Sequence, residues 1–292
     1  MESQSQINDS IGQTEVRFGI IQIATGIHLH YAEYGADSGN PIVFLHGLSD
    51  SWFSFSPVLA HLAGAQHVFM LDQRGHGNSS HPQSGYSIDR FAQDVVVFID
   101  AMGLENVTLI GHSMGSVIAQ RVAASAAQHI ARLILVGSTT HPYTDELASL
   151  LALVNTLQDP VDEAFVREFQ ISTIYQPVPD NFLEQVVAES MKLSAHTWRS
   201  ALAELFAYTT VADLKRITAP TLIVWGDHDA IWSYSAQEKL LAGLRAAELR
   251  VYEETGHAVH WERPEAFARD LQTFIAQTTD SFNTKAQIEP KG

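Results

Sequence analysis

The chain contains no cysteine. Disulfides, thiolate nucleophiles and thiolate metal sites are therefore excluded, while the redox compartment is left open. Basic residues are scarce: 17 Lys and Arg stand against 33 Asp and Glu, a formal charge of −16. Phosphates would repel such a chain, which argues against nucleic acid or an anionic membrane as partner. No apolar stretch is long enough to span a bilayer, and internal repeats and low-complexity tracts are lacking. The first residues, Met1-Glu2-Ser3-Gln4-Ser5-Gln6, lack the basic and apolar regions of a secretion signal, so a cytoplasmic location is expected. What is present is a composition of 46% hydrophobic and 17% charged residues over 292 positions. That suffices for a sizeable core in one large or two small domains.

The most informative stretch is Leu109-Ile110-Gly111-His112-Ser113-Met114-Gly115. The apolar run Val107 to Ile110 leads in, and Ser116, Val117, Ala119, Val122 and Ala123 lead out. This pattern predicts a buried strand, a tight bend and a helix packed closely on a sheet. Gly111 and Gly115 leave room for a bend too sharp for side chains, with Ser113 at its apex. G-x-S-x-G in this setting is a nucleophile elbow, in which the N–H after the serine, that of Met114, helps to bind an oxyanion.

Around it, strands alternate with helices. Val16 to Ile23 and Ile27 to Tyr34 read as a hairpin. Buried-strand runs follow at Ile42–Leu45, Val68–Leu71, Leu133–Val136, Thr221–Trp225 and Leu249–Tyr252, which with the elbow strand makes eight. Helices are expected near Pro57 to Leu62, from Ser87 to a stop at Gly103, around Ala236 to Leu244, and from Pro264 onward. The fold class is α/β, with a mainly parallel eight-stranded sheet flanked by helices. Between His141 and about Lys215 the alternation gives way to four helical patterns: Asp145–Leu157, Asp162–Thr173, Pro179–Leu193 and His196–Tyr208. Their place after a strand of an open sheet predicts a helical cap over the strands' carboxyl ends, where ligands bind. The expected division is a core of residues 14–140 and 216–279, a cap of 141–215, and flexible tails at 1–13 and 280–292.

A serine hydroxyl needs a base, and the base an orienting acid. In an open parallel sheet all three must meet at the strands' carboxyl ends. His257 is the histidine that directly follows the last strand, and Asp227 and Asp229 are the carboxylates after the Thr221 strand. The strand after the elbow ends in Gly137-Ser138-Thr139-Thr140, with no carboxylate. His28 and His30 share a strand face at a spacing open to metal ligation, but no third ligand accompanies them. They are read as histidines of a partly exposed strand, and His260, three residues past His257, as a pocket-edge or surface residue.

His46-Gly47, Asp72-Gln73-Arg74-Gly75-His76-Gly77, Gly111-His112-Ser113-Met114-Gly115, Gly226-x-x-Asp229 and Gly256-His257 occur in this order. Together they make the chain resemble a capped α/β-hydrolase from about Val16 to Thr278. The resemblance selects Asp229 over Asp227 as the acid and implies that Leu48 N–H joins Met114 N–H in the oxyanion hole. It implies a structural part for Asp72, Arg74 and His76, and an orienting ring hydrogen bond for His46. Trp52, Ile231, Trp232 and Val259 lie in loops expected to face the cleft. The implied activity is hydrolysis of a mostly uncharged small-molecule ester or lactone through an acyl-enzyme, with no metal or organic cofactor required. A carbon–carbon bond hydrolase, a cofactor-free perhydrolase and a non-catalytic receptor are the alternatives. Dehalogenase chemistry, which places aspartate at the elbow, is removed by Ser113.

Overall fold

The computed structural model describes residues 16–23, 26–36, 39–62 and 66–288; the expected tail at 1–13 lies outside them. In chain order the elements are β1 (Arg17–Gln22), β2 (His28–Gly35), β3 (Ile42–Leu45), one 3-10 turn (Trp52–Phe55), α1 (Ser56–Leu59), β4 (His67–Leu71), α2 (Ile88–Ala101), β5 (Val107–His112), α3 (Met114–Ser125) and β6 (Ile130–Val136). Then come α4 (Asp145–Val154), α5 (Glu163–Ser172), α6 (Asp180–Ser190), α7 (Ala195–Ala207) and α8 (Val211–Leu214), all between β6 and β7. The chain closes with β7 (Thr221–Gly226), α9 (Tyr234–Gly243), β8 (Ala247–Tyr252), α10 (Val259–Glu262) and α11 (Pro264–Ile288).

The strands form one eight-stranded sheet in the order β1-β2-β4-β3-β5-β6-β7-β8, antiparallel at β1–β2 and β2–β4 and parallel elsewhere. Side chains alternate across the central strands, so each strand feeds two cores. Val43, Leu45, Phe69, Leu71, Leu109, Leu133, Leu135 and Ile223 pack under α2 and α3, through Phe91, Val95, Phe98, Val117 and Val122. Their neighbours Ile42, Phe44, Val68, Met70, Ile110, Ile134, Val136, Leu222 and Val224 pack on the other side against Phe55, Val58, Leu59, Phe267, Leu271 and Phe274. Burying each such side chain contributes roughly 1.5–3 kcal/mol, and these unbroken apolar strands require cover on both faces.

Local signals set the helix ends. Ser87 caps α2 by accepting the Arg90 N–H at 3.3 Å, and Gly103, at φ +62°, turns the chain out of it. Asp162 and Ser194 cap α5 and α7 in the same way, at 2.8 Å and 3.1 Å. The helical region before α1 begins earlier than expected, because Ser51 Oγ accepts the Phe53 N–H at 3.2 Å and starts the 3-10 turn. Residues 289–292 of the other expected tail lie outside the described residues, and α11 is the helix that precedes them. It runs to Ile288, through the stretch read as a tail from Asp280, in a segment without a helix-breaking Gly or Pro. The inserted helices join the core under α2 and α3: Val154, Val166, Val187, Trp198 and Leu202 belong to the same apolar cluster as the sheet. Among the described residues no helix is long and apolar enough to cross a membrane.

Candidate active site

Strand register sets the site. β3 pairs Leu45 with Gly111, and β6 pairs Val136 with His112, so the residues just beyond these strand ends converge at one rim of the sheet. Ser113 has φ 52° and ψ −120°, a strained conformation of the kind that persists where surrounding structure over-determines it. Its N–H donates to Val136 O at 3.0 Å, and its carbonyl accepts the Ser116 hydroxyl at 2.6 Å and N–H at 2.9 Å. A side chain on Gly115 would collide with the carbonyl oxygen of Leu45, so the following helix sits directly on β3. Ser113 is half-buried, and Met114 is the first residue of α3, where N–H groups have no intrahelical acceptor.

The fold brings His257 and Asp229 together. Nδ1 lies 2.8 Å from Asp229 Oδ2, and both side chains are buried. The other carboxylate oxygen accepts the Ile231 and Trp232 N–H groups at 2.8 Å and 3.0 Å. A carboxylate can only accept, so Nδ1 donates to it. Nε2 is buried and makes no hydrogen bond to another of the described residues, the Ser113 hydroxyl included. The imidazole rests on Gly137, the residue after the Val136 that holds Ser113 N–H, and Trp232 covers it edge-on at 5.2 Å. Asp227 is placed apart from the imidazole, where its Oδ1 takes the Thr255 N–H at 3.3 Å.

The Gly47–Leu48 turn is braced from behind. His46, fully buried, donates from Nδ1 to Gly47 O at 2.7 Å and accepts the Gln73 N–H on Nε2 at 3.0 Å. That pattern requires the neutral ring, and burial holds its pKa below the ordinary histidine value. A Cβ on Gly47 would stand 3.2 Å from Ser113 Cβ, so this turn lies against the serine. Asp72 accepts His30 Nδ1 at 2.7 Å, Trp52 N–H at 2.7 Å and Asn78 N–H at 2.8 Å. Arg74 forms a two-pronged pair with Asp94 at 2.6 Å and 2.8 Å, and His76 Nδ1 donates to Arg74 O at 2.8 Å. All three side chains brace the loop.

Several placements differ from the sequence reading. His30 is buried on Asp72 rather than partly exposed. His260 is fully buried, because its ring stacks on Phe55 at 4.7 Å and its Nε2 bonds Ser54 Oγ at 3.0 Å. Trp52 packs on Phe18 and Phe53, and Val259 lies in the core under α11. Sequence reasoning also missed Asp50. This buried carboxylate accepts Gln170 Nε2 at 3.1 Å and Ser54 Oγ at 3.2 Å, and lies 3.8 Å from His112 Nδ1. Burial works to raise its pKa, but the nearby His112 side chain and the Gln170 amide outweigh that and hold the carboxyl below its ordinary range. His112 itself packs between the rings of His257 and His260, at 4.8 Å and 4.5 Å. Among the described residues no group of three or more His, Asp or Glu is arranged to hold a metal ion.

The sequence profile of the alpha/beta hydrolase fold matches residues 40–264. The chain belongs to that family. Similar proteins include a non-heme chloroperoxidase of Streptomyces lividans, 28% identical over 88% of this chain and 99% of that protein. A 2-hydroxy-6-oxononadienedioate/2-hydroxy-6-oxononatrienedioate hydrolase of Klebsiella pneumoniae is 28% identical over 86% of this chain and 92% of its own. Among solved structures, an esterase from Exiguobacterium antarcticum superposes with a TM-score of 0.80 at 26% identity, covering 88% of this chain and 98% of that one. This alpha/beta hydrolase therefore has esterase, haloperoxidase and carbon–carbon hydrolase relatives.

Proposed function

We propose that the protein is a serine hydrolase that cleaves a carboxylic ester or lactone through an acyl-enzyme. The observation that carries this reading is the buried Asp229–His257 pair, whose ring rests on Gly137, next in the chain to the Val136 carbonyl that holds the N–H of the strained Ser113. Ser113 Oγ attacks the carbonyl carbon while His257 Nε2 takes its proton. Asp229 fixes the imidazole tautomer and stabilises the imidazolium. The N–H groups of Leu48 and Met114 bind the oxyanion, each such donor typically contributing about 3–4 kcal/mol to the transition state. His257 then protonates the leaving alcohol, and water activated by the same ring releases the acid.

Residues 141–215 act in this reading as a cap over a core of 14–140 and 216–279, and the substrate is a small, mostly uncharged molecule. Supporting contacts join the insertion to the loops at the rim: Gln170 bonds Ser49 and Asp50, and Phe182 stacks on Phe53 at 5.5 Å. The esterase likeness favours an ester, whereas the Klebsiella relative keeps carbon–carbon cleavage as the second reading. A panel of uncharged esters, lactones and a vinylogous dienoate, assayed with the protein and its Ser113→Ala variant, decides between them. Turnover of simple esters that vanishes in Ser113→Ala is expected. Turnover confined to the dienoate favours the second reading, and ester turnover that survives the substitution ends the first. Perhydrolase activity is tested by adding peroxide and a carboxylic acid to the same panel.

A further inference from the structure

The loop that carries His257 is tied to the inserted helices by a carboxylate outside the triad. Glu262, half-buried at the end of α10, accepts the Gly256 N–H on Oε1 at 2.9 Å and the Gln176 N–H on Oε2 at 2.7 Å, with the Tyr175 N–H beside it. On the other side of the histidine, Ala258 N–H donates to Thr173 O at 3.0 Å. Both chain neighbours of His257 are thus held, directly or through Glu262, to residues 173–176, which join α5 to α6. Contact there is close. A Cβ on Gly256 would stand 2.6 Å from Tyr175 N and 2.8 Å from Glu262 Oε1. The same segment reaches the acid loop, where the Tyr175 ring stacks on His228 with centroids 3.8 Å apart and planes 9° apart. His228 immediately precedes Asp229.

We propose that Glu262 is a positioning residue for His257: it joins the main chain before the imidazole to residues 175–176, so the base reaches its working position only while that segment is seated. The proposal rests on the Ser113–His257–Asp229 reading. Its chemistry requires a carboxylate, because backbone N–H groups converge on both oxygens and only acceptors satisfy them. Glutamine, of the same shape, would set an NH2 group against one of those donors. Both oxygens of Glu262 are engaged by main-chain N–H groups, and it moves no proton. Its effect passes through the main chain at Gly256.

The test compares the full-length protein with its Glu262→Gln and Glu262→Ala variants by two readouts. One is steady-state hydrolysis of the best ester in the panel. The other is the downfield proton resonance of His257 Nδ1–H on Asp229, assigned by its loss in His257→Gln. A positioning role gives a kcat reduced by roughly tenfold to a hundredfold with KM little changed, the scale expected for a misplaced catalytic group. The Nδ1–H resonance broadens through exchange in the same variants. A merely structural tie would lower the melting temperature and leave both readouts alone. A folded variant with kcat within about twofold of the parent and an unmoved resonance overturns the proposal. Should Glu262→Ala fail to fold, the near-isosteric Glu262→Gln decides. Should the parent show no ester turnover, the hydrolase reading fails, and the resonance alone still decides for or against Glu262.

Discussion

Asp229 and His257 stand 28 residues apart in the chain and 2.8 Å apart in the fold, carboxylate to ring nitrogen. The loops after β7 and β8 bring them together, and the carboxylate is itself fixed by two backbone N–H groups. Asp229→Asn keeps the shape but lets the amide donate to Nδ1, which moves the imidazole proton to Nε2, the wrong nitrogen for a base. A kcat loss of about 10⁴-fold with an intact fold is expected, by analogy with serine proteases. Steady-state kinetics and thermal melts check it, and a loss under about tenfold would count against the assigned acid.

Gly47 is a place where one methyl group separates stability from activity. Its Cβ would stand 3.0 Å from His112 Nδ1, 3.2 Å from Ser113 Cβ and 3.3 Å from Asp50 Oδ2, so a neighbour must give way by a few tenths of an ångström. Gly47→Ala is expected to cost roughly tenfold or more in kcat/KM, because the proposed nucleophile Ser113 and the Leu48 N–H both border the added atom. The melting temperature should change little. Unchanged kinetics in a folded variant would show that the turn does not set the site.

Arg74 and Asp94 form a buried two-pronged pair. Arg74→Ala leaves a carboxylate in the interior without its partner, and about 3–5 kcal/mol of unfolding free energy should be lost. Urea denaturation measures this directly. A loss below about 1 kcal/mol would mean that water or a rearranged side chain replaces the guanidinium.

Acid should weaken the fold before carboxylates titrate. Burial holds His46, His76, His112 and His260 below the ordinary histidine value, His76 at about 3. As pH falls through about 6.5 the unfolded chain protonates these rings while the folded chain does not, so the unfolded state gains up to about 1.4 kcal/mol per pH unit for each. Their contribution is complete above that value and is lost below it. Asp94 and Glu262, raised by burial, act with the opposite sign at more acidic pH. The urea midpoint should therefore drop between about pH 7.5 and pH 5.5; a midpoint that is flat or rises over that range would contradict the neutral assignment.

Local pattern carried most of the architecture. Apolar runs marked the strands, Ser87 and Gly103 bounded α2, and Gly111 and Gly115 marked the elbow around Ser113. The topology rule that sites lie at the strands' carboxyl ends narrowed the base to His257, and family resemblance chose Asp229 over Asp227. Residues held by distant partners were illegible. His260 meets Ser54 across 206 positions and Gln170 meets Asp50 across 120, and neither spacing leaves a periodic trace. Glu262 belongs to no motif, and its link to Gln176, 86 positions away, exists only in the fold.

The central claim is that the Ser113 hydroxyl is a nucleophile activated by His257. Intact mass after exposure to a fluorophosphonate measures this most directly. The expected result is one adduct per chain, mapped to Ser113 and greatly slowed in His257→Gln. A protein that stays unmodified under conditions that label a known serine esterase, or that is modified just as fast in Ser113→Ala, would contradict it.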